Sequence, residues 1–122
     1  MNKNNSVPLL DEQNILVLRG RKLILDAHAA KLLGVSTQML LRAVNQNLAR
    51  FPKEFMIRLN KSECKRIALK GGELSRYIDP KRKSLAFTPH GFFMLSGVLK
   101  SDHAVALGIF IVRSLYASRI PS

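Results

Sequence analysis

The sequence predicts an α+β fold: a helix-turn-helix core with short β-hairpins, winged-helix-like, and a long apolar C-terminal helix. Three observations carry that prediction. Apolar residues recur at three- and four-residue spacing on both sides of Gly34, across residues 26–48. Short apolar runs bounded by Gly, Pro or Asp recur at 15–18, 22–25, 55–59, 74–78 and 85–87. Residues 102–118 are apolar on too many sides for the surface helix of a small monomer. A chain of 122 residues, 47% hydrophobic, suits a single globular domain, read here as 15–119 between an Asn-rich arm (1–14) and a short tail (120–122).

In chain order, Gly20 between two apolar runs signals a hairpin that braces the following helix, with Arg19 and Arg21 read as solvated tip residues. Asp26 is the expected N-cap of the first helix, and Ala29, Ala30, Leu32 and Leu33 form its inner face. Gly34 supplies the turn, Val35 plugs the corner and Ser36 caps a second helix opening at Thr37. There Leu40, Val44 and Leu48 face inward, while Gln38, Arg42, Asn45 and Gln46 face out. Pro52 halts helical structure and leaves Phe51 and Phe55 as core plugs. Asn60 and Glu63 form a capping box for a helix ending before Gly71-Gly72. The runs 74–78 and 85–87 read as a hairpin with a Lys81-Arg82-Lys83 tip. Thr88-Pro89 opens a nearly continuous hydrophobic helix, and Lys100-Ser101-Asp102 breaks and recaps the chain before the last one.

The formal net charge is +12 and the pI about 10.6. Like charges repel in a compact state, so such an excess points to a polyanionic partner. Lys65, Arg66, Lys70, Arg76, Lys81, Arg82 and Lys83 crowd residues 65–83 against only Glu73 and Asp79. The lone Cys64 allows no internal disulfide and no paired-Cys zinc site, which suits a reducing cytosol. No secretory signal is visible in residues 1–14, and the longest apolar run, 104–112, is too short to cross a bilayer.

Catalytic chemistry finds no support. His28, His90 and His103 are scattered, with His28 and His90 read as partly exposed residues in first helical turns. Glu12, Asp26, Glu54, Glu63 and Asp102 have capping or end-of-element explanations. No metal, cofactor or nucleotide-loop pattern is present.

Longer motifs add a resemblance. RGRKLILD, AAKLLGV, NLARFPKEFMIRL, FTPHGFFMLSGVLKSDHAV and IFIVRSLYASR span most of 15–119 and contain the signatures FPxxFM and FTxxGxxMLSxVL. With these the chain resembles the phage "ORF-six N-terminal" DNA-binding domain family, related in usage to KilA-N domains and found in phage antirepressors and prophage-derived proteins. Leu41, Asn45 and Gln46 depart from the family pattern, which carries an Asn and then a basic pair there. The resemblance implies double-stranded DNA as partner and a role in transcriptional control. The expected contacts are Thr37, Gln38, Arg42, Asn45 and Gln46 from the second helix, with Lys65, Arg66, Lys70, Arg76, Lys81, Arg82 and Lys83 from the basic stretch. A homodimer through the C-terminal helix is expected, to match paired half-sites. The rival readings are an antirepressor module that binds a repressor protein with only non-specific DNA affinity, and a nuclease, which the missing carboxylate or His cluster disfavours.

Overall fold

Arg19 and Gly20 take φ values of 53° and 73°, the two positive values that a type I′ hairpin turn needs. They fold β1 (Leu16–Leu18) onto β2 (Arg21–Leu25), with Leu16 opposite Leu23 and Leu18 opposite Arg21. The computed structural model describes residues 15–119; the arm and tail expected from the sequence lie outside them. After β2 come α1 (Asp26–Leu33), α2 (Thr37–Gln46), β3 (Met56–Arg58), α3 (Lys61–Lys70), β4 (Leu85–Phe87), α4 (Pro89–Leu99) and α5 (Asp102–Arg119). The strands form one antiparallel sheet in the order β1-β2-β4-β3. The architecture is therefore α+β.

Side-chain alternation along the strands divides the core in two. Ile24, Leu85 and Phe87 face one side, where they pack with Ala29, Ala30 and Leu33 of α1, Leu40 and Val44 of α2, Phe92 and Leu95 of α4 and Ala104 of α5. Leu23, Leu25 and Ala86 face the other side and pack with Leu59, Cys64 and Ile78, against which Ile67 of α3 also rests. The sheet thus lies between the α1–α2–α4–α5 layer and α3.

Local sequence explains the helix ends. Gly34 adopts φ 72° and ψ 27°, and its N–H bonds Lys31 O while Val35 N–H bonds Ala30 O, a Schellman closure of α1. Ser36 Oγ accepts from Met39 N–H at 3.0 Å and starts α2. Asn60 and Glu63 form the reciprocal capping box of α3. Ser101 Oγ accepts from Ala104 N–H and starts α5.

The two long signatures meet one another. Phe51 and Phe87 pack edge to face with centroids 5.9 Å apart, and Met56 lies opposite Phe87 in the sheet. Thr88 caps α4 by accepting from Gly91 N–H, and its hydroxyl points its hydrogen toward the Glu54 and Phe55 carbonyls. Arg21 donates to the Lys53 and Glu54 carbonyls and fixes the same turn. These motifs are architecture, not surface.

Several expectations need correction. Residues 73–77 form a 3-10 helix, not a strand, because β4 already has β2 and β3 on its two edges. Gly71 and Gly72 turn the chain at φ 74° and 79°, and Leu74 and Tyr77 then pack at helical spacing against the second core. The Lys81-Arg82-Lys83 segment is consequently a loop into a central strand, not the tip of a wing hairpin. Leu48 is 48% exposed, since α2 ends at Gln46 and a 3-10 turn follows. Phe55 is only half-buried, stacked on the exposed His90. His28 is buried and stacks on Tyr77 at 4.5 Å. Arg19 is not a loose tip: it donates twice to the Glu63 carboxylate, which holds that carboxyl below its usual pKa. Phe93 and Gly97 leave the α4 core exposed on one side. Nor is α5 the long apolar helix expected: Asp102, His103, Arg113, Ser114, Ser118 and Arg119 interrupt its apolar sequence, Ala104 and Gly108 are buried, and Val105, Ala106, Ile109, Phe110 and Arg113 are exposed.

Gly91 tests the junction between the signatures. A Cβ there would overlap the Phe55 carbonyl oxygen, which is backbone and cannot swing away. Gly91→Ala should lower the unfolding free energy by at least about 2 kcal/mol. Gly97→Ala, which meets nothing, is the control. Denaturant unfolding of the two variants provides the comparison.

Candidate nucleic-acid interface

Burial of Leu40 and Val44 fixes how α2 is rotated. Gln38, Met39, Arg42, Asn45 and Gln46 therefore stand exposed, and Thr37 half-buried. Beside them runs a groove of about 380 Å³. Its apolar floor is Leu41, Val44, Leu48 and Leu85; its polar rim is Arg42, Asn45, Arg58, Arg82 and Lys83.

Each rim residue has a structural reason to be there. Arg42 and Asn45 follow from the helix period. Arg58 lies opposite Leu85 in the β3–β4 register, so alternation sends it to the α2 side of the sheet. Its carbonyl also accepts from the Arg19 guanidinium at 3.3 Å.

Arg82 is held by Asp26. That carboxylate, fully buried, accepts from both terminal nitrogens of Arg82 at 2.8 and 3.0 Å, from Leu85 N–H at 2.9 Å and from Ala27 N–H at 2.6 Å. The N-cap position itself belongs to Leu25, so Asp26 is a first-turn anion and a tertiary anchor rather than the expected cap. Hydrogen bonding to Asp26 raises the pKa of Arg82 above its already high ordinary value. The loop before β4 is turned by Asp79, whose carboxylate accepts from Lys81 N–H and whose carbonyl accepts from Arg82 N–H. Lys81 and Lys83 point to solvent.

The ion pairs among the described residues are Arg19–Glu63, Arg76–Glu73 and Arg82–Asp26. Arg42, Arg58 and Lys83 have no carboxylate partner among the described residues, and the two most buried acids, Asp26 and Glu63, are already engaged. The groove therefore carries a net positive field toward solvent. No group of His, Cys, Asp and Glu among the described residues is arranged to hold a metal. No helix among them is long and apolar enough to cross a membrane.

The structure gathers part of the expected set. Arg42, Asn45, Arg82 and Lys83 line one groove. Lys65, Arg66 and Lys70 are exposed but stand on α3, across the sheet from α2. Arg76 is exposed beside Glu73, at 3.7 Å. Arg58 is the residue that sequence reasoning missed; alternation in Met56-Ile57-Arg58 was its signal, once the strand and its inner face were known.

Fold and groove together define a small α+β domain that presents a basic cleft beside a capped helix pair. Residues 13–98 match the ORF6N domain, and the chain belongs to that family, a phage-type domain often found in antirepressor-like proteins. The family is not an enzymatic one. The matched stretch ends within α4, so α5 lies beyond it. No curated protein and no solved structure matches the chain.

The Asp26–Arg82 pair separates stability from surface charge. Arg82→Ala leaves a buried carboxylate short of two donors and should cost about 2–3 kcal/mol, less than for a fully buried pair. The reduction reflects the 30% exposure retained by the Arg82 side chain. Lys81→Ala and Lys83→Ala should stay within about 0.5 kcal/mol of the parent. Thermal or denaturant unfolding checks the contrast.

Proposed function

We propose that this ORF6N domain binds double-stranded DNA with sequence preference and acts in phage-type transcriptional control, with α1 and α2 used as a helix-turn-helix. The observation that carries this reading is the convergence of Arg42 and Asn45 from α2 with Arg58, Arg82 and Lys83 around one groove. A helix with exposed Gln, Arg and Asn has the donors and acceptors that base edges in the major groove require. Cations flanking it have the charge that phosphates require. In this reading Gln38, Arg42, Asn45 and Gln46 address bases, with Thr37 at the helix start. Arg58 and Lys83 hold backbone, Lys81 extends that contact, and Arg82 shapes the loop more than it supplies free charge.

The test is binding to a duplex selected from a random library, measured across salt. Each phosphate contact contributes roughly 0.9 to the slope of log K against log salt. Arg58→Ala and Lys83→Ala should weaken selected and random duplexes alike and flatten the slope by about 1 apiece. Arg42→Ala should cost about 1–3 kcal/mol on the selected duplex and lower its advantage over random DNA. An unchanged specificity ratio would remove α2 from the reading role. Capture of a repressor protein without any DNA mobility shift would overturn the function itself.

The same reading includes a second copy of the chain docked on α4 and α5. Phe93, Val105, Ile109 and Phe110 there keep 40–48% of their surface exposed. Phe93, Gly97, Val105 and Ile109 line an open groove between the two helices, and Arg113 also borders it. Two-fold pairing would cover this surface and match paired half-sites. Sedimentation at high micromolar concentration should give a dimer that Ile109→Asp dissociates; a monomeric parent protein would contradict it.

A further inference from the structure

The α3 helix carries a basic face that the proposed DNA groove does not use. Lys61, Lys65, Arg66 and Lys70 are all exposed, and Lys61/Lys65 and Arg66/Lys70 are like-charged pairs at i,i+4, an unfavourable spacing on an isolated helix. Glu63 is the acid within α3. It is buried, accepts from Arg19 at 2.7 and 2.9 Å and closes the capping box. The inner face of α3 is spent on Cys64, Ile67 and Ala68 in the second core. The rotation of the helix, and so the outward aim of its cations, is fixed.

The sheet decides what this face can do. Leu85 and Phe87 of β4 pack toward α2, whereas Ala86 packs toward α3, so the two basic faces lie on opposite sides of the sheet. A duplex seated on α2 would lie on the far side of the sheet from Lys65, Arg66 and Lys70. We infer that the α3 face is a second duplex-binding surface, so that one molecule holds two DNA segments at once. Lys65, Arg66 and Lys70 would grip phosphates, a contact that raises affinity without reading sequence. The inference rests on the DNA-binding function proposed above. Its occupant is argued from charge complementarity: four exposed cations on one helix, with Ser62 and Leu69 between them and Glu73 the exposed acid nearby, in a chain of net charge +12.

The experiment loads the full chain onto an immobilised short duplex and measures capture of a second, labelled duplex. The parent protein should capture it in a salt-sensitive way. Lys65→Gln, Arg66→Gln and Lys70→Gln together remove about three phosphate contacts and should reduce capture affinity about a hundredfold at 0.1 M salt. Loading on the first duplex should stay within about threefold, because these three cations stand across the sheet from α2 and salt at 0.1 M screens exposed charges over about 10 Å. Unfolding curves of the triple variant establish that it is folded, and Ile109→Asp should still capture. Undiminished capture by the triple variant, or loss of capture in Ile109→Asp, would overturn the inference and assign bridging to two α2 faces of a dimer. Loading without capture would overturn it and leave α3 to an acidic protein. Failure to load at all would instead defeat the DNA-binding function on which it rests.

Discussion

The Asp26 carboxylate joins three parts of the chain that must be held together for the groove to exist. Ala27 N–H and the carboxylate itself sit at the start of α1, Leu85 N–H opens β4, and Arg82 belongs to the loop between. A carboxylate removed from water is tolerable only when its lone pairs are filled, and here four donors fill them. Moving the loop would leave a buried charge unsatisfied. These contacts tie the basic loop to the start of α1, and Lys83 stands on the groove rim with Arg42.

The sheet does the second half of the positioning. With strands of three to five residues it is small, yet strict alternation makes it a partition. It directs Arg58 toward α2 and the Cys64 side of α3 to the other core. The family signatures tie that partition together, through Phe51 on Phe87, Thr88 on the turn carbonyls and Gly91 against Phe55. They specify a scaffold, and the residues that face solvent on α2 and on the loop before β4 lie outside them.

What was legible in the sequence was local. Gly34, Ser36, the Asn60–Glu63 box and Thr88-Pro89 announce helix ends because caps act within one turn of chain. Leu40 and Val44 announce the buried face of α2 because helical period is local too. What was not legible depended on partners far along the chain. Arg82 and Asp26 are 56 residues apart, and no spacing rule pairs them. Leu74 to Ile78 alternates well enough for a strand, but the edge it needed was taken by β3. His28 is buried because Tyr77 lies over it, and Arg58 reaches the groove because the register places it opposite Leu85. The groove was thus half visible: its helix could be read directly, and its far rim required the fold.

The central claim is that one face, formed by α2, Arg58 and the loop leading into β4, receives the duplex. Titration of the isotopically labelled chain with a selected duplex, followed by amide and Arg side-chain NMR shifts, tests it most directly. The account predicts that the earliest and largest changes, at sub-stoichiometric DNA, map to residues 36–47, Arg58 and residues 79–84, while α4 stays quiet. Changes that begin instead on α3 or spread evenly over every basic side chain would contradict it.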